Sequence, residues 1–295
     1  MPVNRREWTI VAVVGAIVVL SLSGLVFLVA RGGDGGSPSP GSAVPAVSEV
    51  STPSGTSAST LAPASPGPSP SPSLSGPVPP APPVPDGLAG ADLTAMPTAA
   101  KVVALTIDVG GDDAGLAAML AALTAEGVPA TFFVTGEFAA AHPAQVGAIL
   151  AGGHRVGNHS MTHPRFPGLS DTEIAIEVAD AERALNTAGA DPRPWFRFPY
   201  GDRDDRCVGL LNGSGYVPVR WTVDTLGWTG TGGGITAGIV ADRVLYALQP
   251  GEIVLMHAGA NLDDGSTVDA DALPDVIARV REAGYSFVTL DVMAG

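Results

Sequence analysis

From residue 100 onward the sequence predicts an α/β fold, a (β/α) barrel, and two observations predict it. Apolar, β-branched runs of strand length alternate with helix-patterned segments, an order that gives a parallel sheet or barrel rather than a sandwich. Five of those runs also lead into a residue that carries chemistry: Asp108, His159, Pro199-Tyr200, Asp224 and His257. In a (β/α) barrel the active site is assembled at the carboxyl ends of the strands.

Taken in order, residues 1–8 place Arg5 and Arg6 ahead of a charge-free apolar run at residues 9–30. A run of about 20 such residues suffices to span a bilayer as a helix. The arginines put the amino terminus in the cytoplasm and the rest of the chain outside. The alternative, secretion after signal cleavage, asks for a shorter apolar core of about 7–15 residues and a small-x-small site. Residues 31–99 are rich in Pro, Ser and Gly, as in "SPGPSPSPSLSGPVPPAPPVP". They offer no apolar period and read as a disordered, partly polyproline linker.

Within residues 100–295, strands are expected at 102–107, 130–134, 155–158, 195–198, 217–221, 253–257 and 287–290. Helices are expected at 116–125, closed by Gly127 and Pro129, at 144–151, and at 171–187. The last begins on a Ser170 cap signal with Glu173 three residues on.

The chain carries 29 acidic and 15 basic residues, a formal charge of -14. Only Arg5, Arg6 and Arg31 of the basic residues precede Lys101, so the globular part holds most of the acidic excess. That charge argues against nucleic acid or an anionic lipid surface as its partner. It suits a neutral or cationic partner, or simple solubility. The single cysteine, Cys207, excludes an internal disulfide and Cys-based zinc fingers, and with no base motif around it reads as structural.

Four segments carry the chemistry. In "GNHSMTH", His159 and His163 are an i, i+4 pair after a strand. On one helical turn they would lie about 5–6 Å apart, suited to a shared metal. "ALTIDVGGDDAG" ends a strand at Asp108, where a carboxylate can act as general base. Asp112 and Asp113 follow two glycines and could cap the next helix. "FRFPYGDRD" places Arg197 in an apolar strand, which calls for a buried carboxylate partner such as Asp108. "IVLMHAG" ends a buried strand at His257, where an imidazole can protonate a leaving amine.

The order of these segments resembles the polysaccharide deacetylases with a NodB homology domain, carbohydrate esterase family four. The family's Thr-Phe-Asp-Asp-Gly is similar to Thr106-Ile107-Asp108-Val109-Gly110, and its His-Ser/Thr-x-x-His to His159-Ser160-Met161-Thr162-His163. Arg-x-Pro-Phe/Tyr matches Arg197-Phe198-Pro199-Tyr200, Asp-x-x-Asp-Trp looks like Asp224-Thr225-Leu226-Gly227-Trp228, and Leu-x-His matches Leu255-Met256-His257. The resemblance implies a distorted (β/α) barrel of the NodB type and metal-assisted hydrolysis of N-acetyl groups on a cell-wall polysaccharide. Peptidoglycan is the leading substrate; chitin-like oligomers and acetylated xylan stay open.

It further implies Asp108 as base, His257 as acid, Arg197 as the group orienting Asp108, and His159 and His163 as ligands of a divalent metal, zinc or cobalt. Tyr200 would donate a backbone N–H to the oxyanion, and Leu255 and Trp228 would wall the acetyl methyl. Two positions depart from the pattern: Val109 replaces a metal-binding Asp, and Gly227 replaces the Asp that partners the acid histidine. Asp112 is then the expected third ligand and Asp224 the expected partner of His257. Two other functions compete: an inactive wall-binding module on the same fold, and a metal amidase acting on a non-sugar amide.

Overall fold

The computed structural model describes residues 83–294. The expected cytoplasmic tail (1–8), the anchor (9–30) and most of the linker lie outside the described residues. Among the described residues no helix is long and apolar enough to cross a membrane.

Among the described residues eight parallel strands form one sheet: β1 Val102–Val109, β2 Thr131–Val134, β3 Arg155–Asn158, β4 Trp195–Phe196, β5 Val217–Pro218, β6 Val223–Asp224, β7 Glu252–His257 and β8 Ser286–Phe287. The order is β5-β4-β3-β2-β1-β7-β6, and β8 pairs with the start of β1. β1 is central because its run is apolar on both faces, every residue after Val102 being buried. The outermost strands, β5 and β6, are joined by only residues 219–222. Four residues span at most about 14 Å, so the sheet must curl until its edges face each other without pairing. This is the distorted barrel.

Among the described residues seven helices accompany the strands: α1 Leu116–Glu126, α2 Gly136–Ala141, α3 Pro143–Ala151, α4 Asp171–Thr187, α5 Asp205–Gly213, α6 Ala237–Ala247 and α7 Val268–Glu282. The end signals read from the sequence operate at two of them. Gly127 closes α1 with φ 61°, a left-handed conformation natural to glycine. Ser170 and Glu173 form a reciprocal capping box at the start of α4. Of the seven, α2, α5, α6 and α7 were not expected. The 217–221 run pairs only as β5, with a new strand, β6, beginning at Val223. The 195–198 run shortens to Trp195–Phe196, and of the 287–290 run only Phe287 is strand; Pro199 and Leu290 open short turns of 3₁₀ helix.

The linker ends sooner than residue 99. Leu88 and Met96 are buried, Leu93 bridges Val219 in parallel, and the Met96 N–H donates to Gly251 O. These apolar side chains cover sheet residues such as Ala104 and Ile253. The packed unit therefore starts ahead of residue 100. Cys207 is buried inside an aromatic cluster with Phe166, Phe196 and Phe198, the structural role expected of it.

Candidate active site

Asp108 stands near the end of β1 in register with His257 on β7, so the topology alone brings the expected base and acid side by side. Arg197 follows β4 and is fully buried, its guanidinium filling the interior of the curled sheet. Nη1 donates to Asp108 Oδ1 at 2.8 Å, and Nη2 to Thr106 Oγ1 at 2.8 Å and Arg220 O at 2.9 Å. Nε donates to Val219 O at 3.2 Å. The guanidinium thus ties the central strand to the 219–222 crossing between β5 and β6. The expected pairing of Arg197 with Asp108 is present, and a fork of donors in fixed geometry is what only arginine supplies.

His159 and His163 sit on an irregular loop, not on the helical turn expected. Ser160 and His163 have φ of 67° and 61°, conformations that cost non-glycine residues free energy and gather at functional sites. The loop is pinned at several points. Asn158 Oδ1 accepts the Ser160 N–H, Ser160 Oγ accepts the His163 N–H, and Glu177 on α4 accepts the N–H groups of Met161 and Thr162. The outcome still matches the spacing argument, with the two imidazole rings 4.8 Å apart between centroids.

The electrostatics divide the groups into charged and neutral. Burial pushes the Asp108 pKa up, but the neighbouring Arg197, His159 and His257 charges and the Arg197 hydrogen bond outweigh it, holding the carboxyl below its usual range. Burial lowers His159 despite Asp108, and it lowers His163, with His159 adding to the effect, to about 4. Burial also acts to lower His257, yet Asp269, Asp108 and Asp224 together raise it above the ordinary histidine value. Near neutral pH the site thus has an ionised carboxylate, two neutral imidazoles and an imidazole biased towards its protonated form.

These groups open onto two adjoining cavities that share Asp108, His163, Trp228 and His257. One, of about 340 Å³, is also lined by Tyr200, Gly201, Trp221, Asp224 and Leu255. The other, of about 390 Å³, runs over Val109, Asp112, Thr135 and Leu262. The expected wall of Leu255 and Trp228 lies in the first. Tyr200 is held at φ 59°, a strained conformation at the position where the resemblance places the oxyanion donor. Sequence reasoning missed Trp221, which packs so close to Gly201 that a Cβ there would fall 2.7 Å from its ring.

The expected metal set does not assemble. His159 Nδ1 faces the Arg197 carbonyl at 2.9 Å; donating there leaves Nε2 unprotonated, 3.4 Å from Asp108 Oδ2. A second neutral imidazole stands beside it. Asp112, however, does not join them. Both of its oxygens accept the Ala260 N–H, at 3.0 and 3.2 Å, and Oδ1 also accepts the Ala114 N–H. It latches the β1–α1 loop to the loop after β7. Asp113 accepts from Gln145 instead of capping α1. Among the described residues no group of three His, Cys, Asp or Glu side chains is placed to hold a metal. Catalytic zinc sites use three protein ligands, so the residues present fall short of the site the family implies.

Asp224 does not partner His257 either. Its Oδ1 accepts the Leu226 N–H at 2.8 Å and its Oδ2 faces Trp228 Nε1 at 3.4 Å. It is committed to the turn that presents the tryptophan. The carboxylate nearest His257 Nδ1 is Asp269 of α7, whose Oδ2 is 3.8 Å away and accepts the His257 backbone N–H at 2.8 Å. Nothing in the short motifs marks Asp269, which lies 12 residues beyond His257.

A barrel with a buried Arg–Asp pair, two facing histidines and a third histidine on the adjacent strand has the groups a hydrolase site needs. The polysaccharide deacetylase family matches residues 95–219, a stretch ending before the Asp224 and His257 segments. The chain belongs to the polysaccharide deacetylases of carbohydrate esterase family 4. It is 32% identical over 196 residues to a chitooligosaccharide deacetylase of Sinorhizobium fredii, covering 64% of this chain and 89% of the relative. It is 33% identical over 193 residues to a peptidoglycan-N-acetylglucosamine deacetylase of Bacillus cereus, covering 65% and 67%. Among solved structures, a peptidoglycan N-acetylglucosamine deacetylase superposes with a TM-score of 0.62 at 30% identity, over 68% of this chain and 91% of the other. A pseudoenzyme of the same family from Bacillus anthracis gives 0.60 at 29% identity, over 66% of each chain.

Proposed function

We propose that this chain removes N-acetyl groups from the amino sugars of a cell-wall polysaccharide, with peptidoglycan as the leading substrate. The observation that carries the reading is that Asp108 and His257 stand in register on adjacent strands, in surroundings that displace the carboxyl downward and the imidazole upward. A base must be ionised and an acid protonated at the same pH, and both displacements act in that direction.

In the reaction a water oxygen attacks the acetyl carbonyl carbon while its proton passes to Asp108. The tetrahedral species collapses with cleavage of the C–N bond. His257 delivers its proton to the departing nitrogen, leaving acetate and a free amine. Arg197 holds Asp108 in place throughout. The 340 Å³ cavity walled by Trp221, Trp228 and Leu255 suits the acetyl methyl. The amine product is cationic, and the chain's acidic excess favours such a surface. The relatives named for peptidoglycan and chitooligosaccharide support the substrate class. The family expectation of zinc or cobalt remains part of the reading, with His159 and His163 as the histidines that would hold the ion.

A second reading, an inactive wall-binding module, is favoured by two observations: Val109 stands where the family keeps a metal ligand, and a family pseudoenzyme is among the structural neighbours. Acetate release from peptidoglycan, chitooligosaccharides and a non-sugar amide, with bound metal measured on the same sample, separates these readings. The proposal expects acetate from a sugar substrate, and a loss of about 10²–10⁴-fold on His257→Ala. Binding to peptidoglycan with no acetate, even with zinc or cobalt added, would establish the module. Acetate from the non-sugar amide alone would establish an amidase.

A further inference from the structure

We infer that Asp269, in the first turn of α7, is the positioning residue for His257, and that it fills from a different element the space a carboxylate at position 227 would take. The inference rests on the deacetylase reading only in taking His257 as the proton donor.

Three observations carry it. Asp269 is 2% exposed, and a buried carboxylate is kept only where it has partners. Its partners tie it to both flanks of the site: Oδ1 accepts Thr225 Oγ1 at 2.7 Å, and Oδ2 accepts the His257 N–H at 2.8 Å and lies 3.8 Å from His257 Nδ1. The third observation concerns the space itself. A Cβ built on Gly227 would lie 2.2 Å from Asp269 Oδ1, 2.3 Å from Cγ and 2.6 Å from Oδ2. No side chain at 227 can coexist with Asp269 where it stands. Gly227 does not have a positive φ, so its backbone does not demand glycine; the space does. Glycine at 227 and aspartate at 269 thus go together: position 227 leaves the space open and α7 supplies the carboxylate.

The charged and titratable groups facing His257 are Asp108 from β1, Asp224 from β6, His159 and His163 from the loop after β3, and Asp269 from α7. Arg197 engages Asp108, and the Leu226–Trp228 turn engages Asp224. Asp269 alone contacts both the backbone of His257 and, at ion-pair distance, its ring.

A purely architectural role would make Asp269 a staple between Thr225 and the end of β7. The test uses readouts that such a staple would not move. On the full-length chain, the pH–rate profile and the NMR titration of the His257 imidazole are compared between the parent and Asp269→Asn, whose side chain keeps the shape and loses the charge. The inference expects the basic limb and the imidazole midpoint to fall together by about one pH unit or more. It also expects kcat to fall at least about tenfold with little change in KM. Gly227→Asp alone should be damaging, whereas Gly227→Asp with Asp269→Ala should restore the basic limb. An unchanged imidazole midpoint in Asp269→Asn overturns the inference, as does a double variant that folds without restoring that midpoint. If the parent releases no acetate, the deacetylase reading fails on its own, and the imidazole titration still decides the role of Asp269.

Discussion

Val109 follows Asp108 on β1, is fully buried, and lines the larger cavity beside His159 and His163. A carboxylate introduced there would be the third ligand that two neutral imidazoles lack. Val109→Asp should therefore raise bound zinc or cobalt towards one ion per chain and increase acetate release. A mutant of the family pseudoenzyme has restored enzymatic activity. The substitution carries a cost with a sign. Without metal, a carboxylate in an apolar niche should lower stability by about 2 kcal/mol or more. An ion that binds only the folded state should recover that loss by mass action. Thermal melting with and without zinc, read beside metal content, gives both outcomes. A folded variant that gains no metal would mean His159 and His163 are not a ligand pair.

The loop joining β3 to α4 shows what the sequence reveals about an element and what it conceals. Its histidines were legible because their spacing is a local property. Its shape was not: Asn158 and Ser160 bond the Ser160 and His163 N–H groups locally, but the two residues between them are held by Glu177, which only the fold brings from α4. The same contrast runs through the fold. Strands β1, β2 and β7 were legible from their apolar runs, and α4 was legible from its Ser170 cap. α6 and α7 were passed over, although α7 brings Asp269 to the site. Gly227 marked a missing carboxylate, but only the packing of α7 against that turn shows where its replacement lies. Within the loop, three donors converge on one carboxylate of α4: the N–H groups of Met161 and Thr162 at 2.9 Å each and Thr162 Oγ1 at 2.7 Å, all to Glu177. Hydrogen bonds to a charged group contribute about 1.5–3 kcal/mol. Glu177→Ala should lower the melting temperature and, by freeing the loop, reduce acetate release, with Glu177→Gln between the two. Lower stability with unchanged turnover would mean that other contacts fix the histidine rings.

Across the whole molecule the barrel separates chemistry from stability. The reacting groups lie at the carboxyl ends of the strands, while the amino end of β7 begins with Glu252, fully buried in the sheet. Among the described residues its Oε1 has no hydrogen-bond partner, and Oε2 accepts only the Gln249 N–H at 3.2 Å. Burial pushes its pKa from 4.5 up to about 7, against a small opposing effect of that hydrogen bond. The sign of the consequence follows from proton counting. Below about pH 4.5 both folded and unfolded chains carry the proton, and Glu252 contributes no pH dependence. Between about 4.5 and 7 the unfolded chain has released it while the folded chain retains it, so each step up in pH favours unfolding. Above about 7 both forms are ionised and the dependence ends. Across that window the folded state should lose about 3 kcal/mol. Glutamine mimics the protonated form, so Glu252→Gln should melt near the parent temperature at pH 5 and clearly above it at pH 8. Taking the difference between the two proteins cancels Asp108, whose lowered pKa acts in the opposite direction at acid pH. Acetate release at pH 7 should not change, because the residue is absent from both cavities that hold the reacting groups. Equal melting differences at pH 5 and pH 8 would show that Glu252 ionises as an ordinary carboxylate and that the closed end of the barrel admits water.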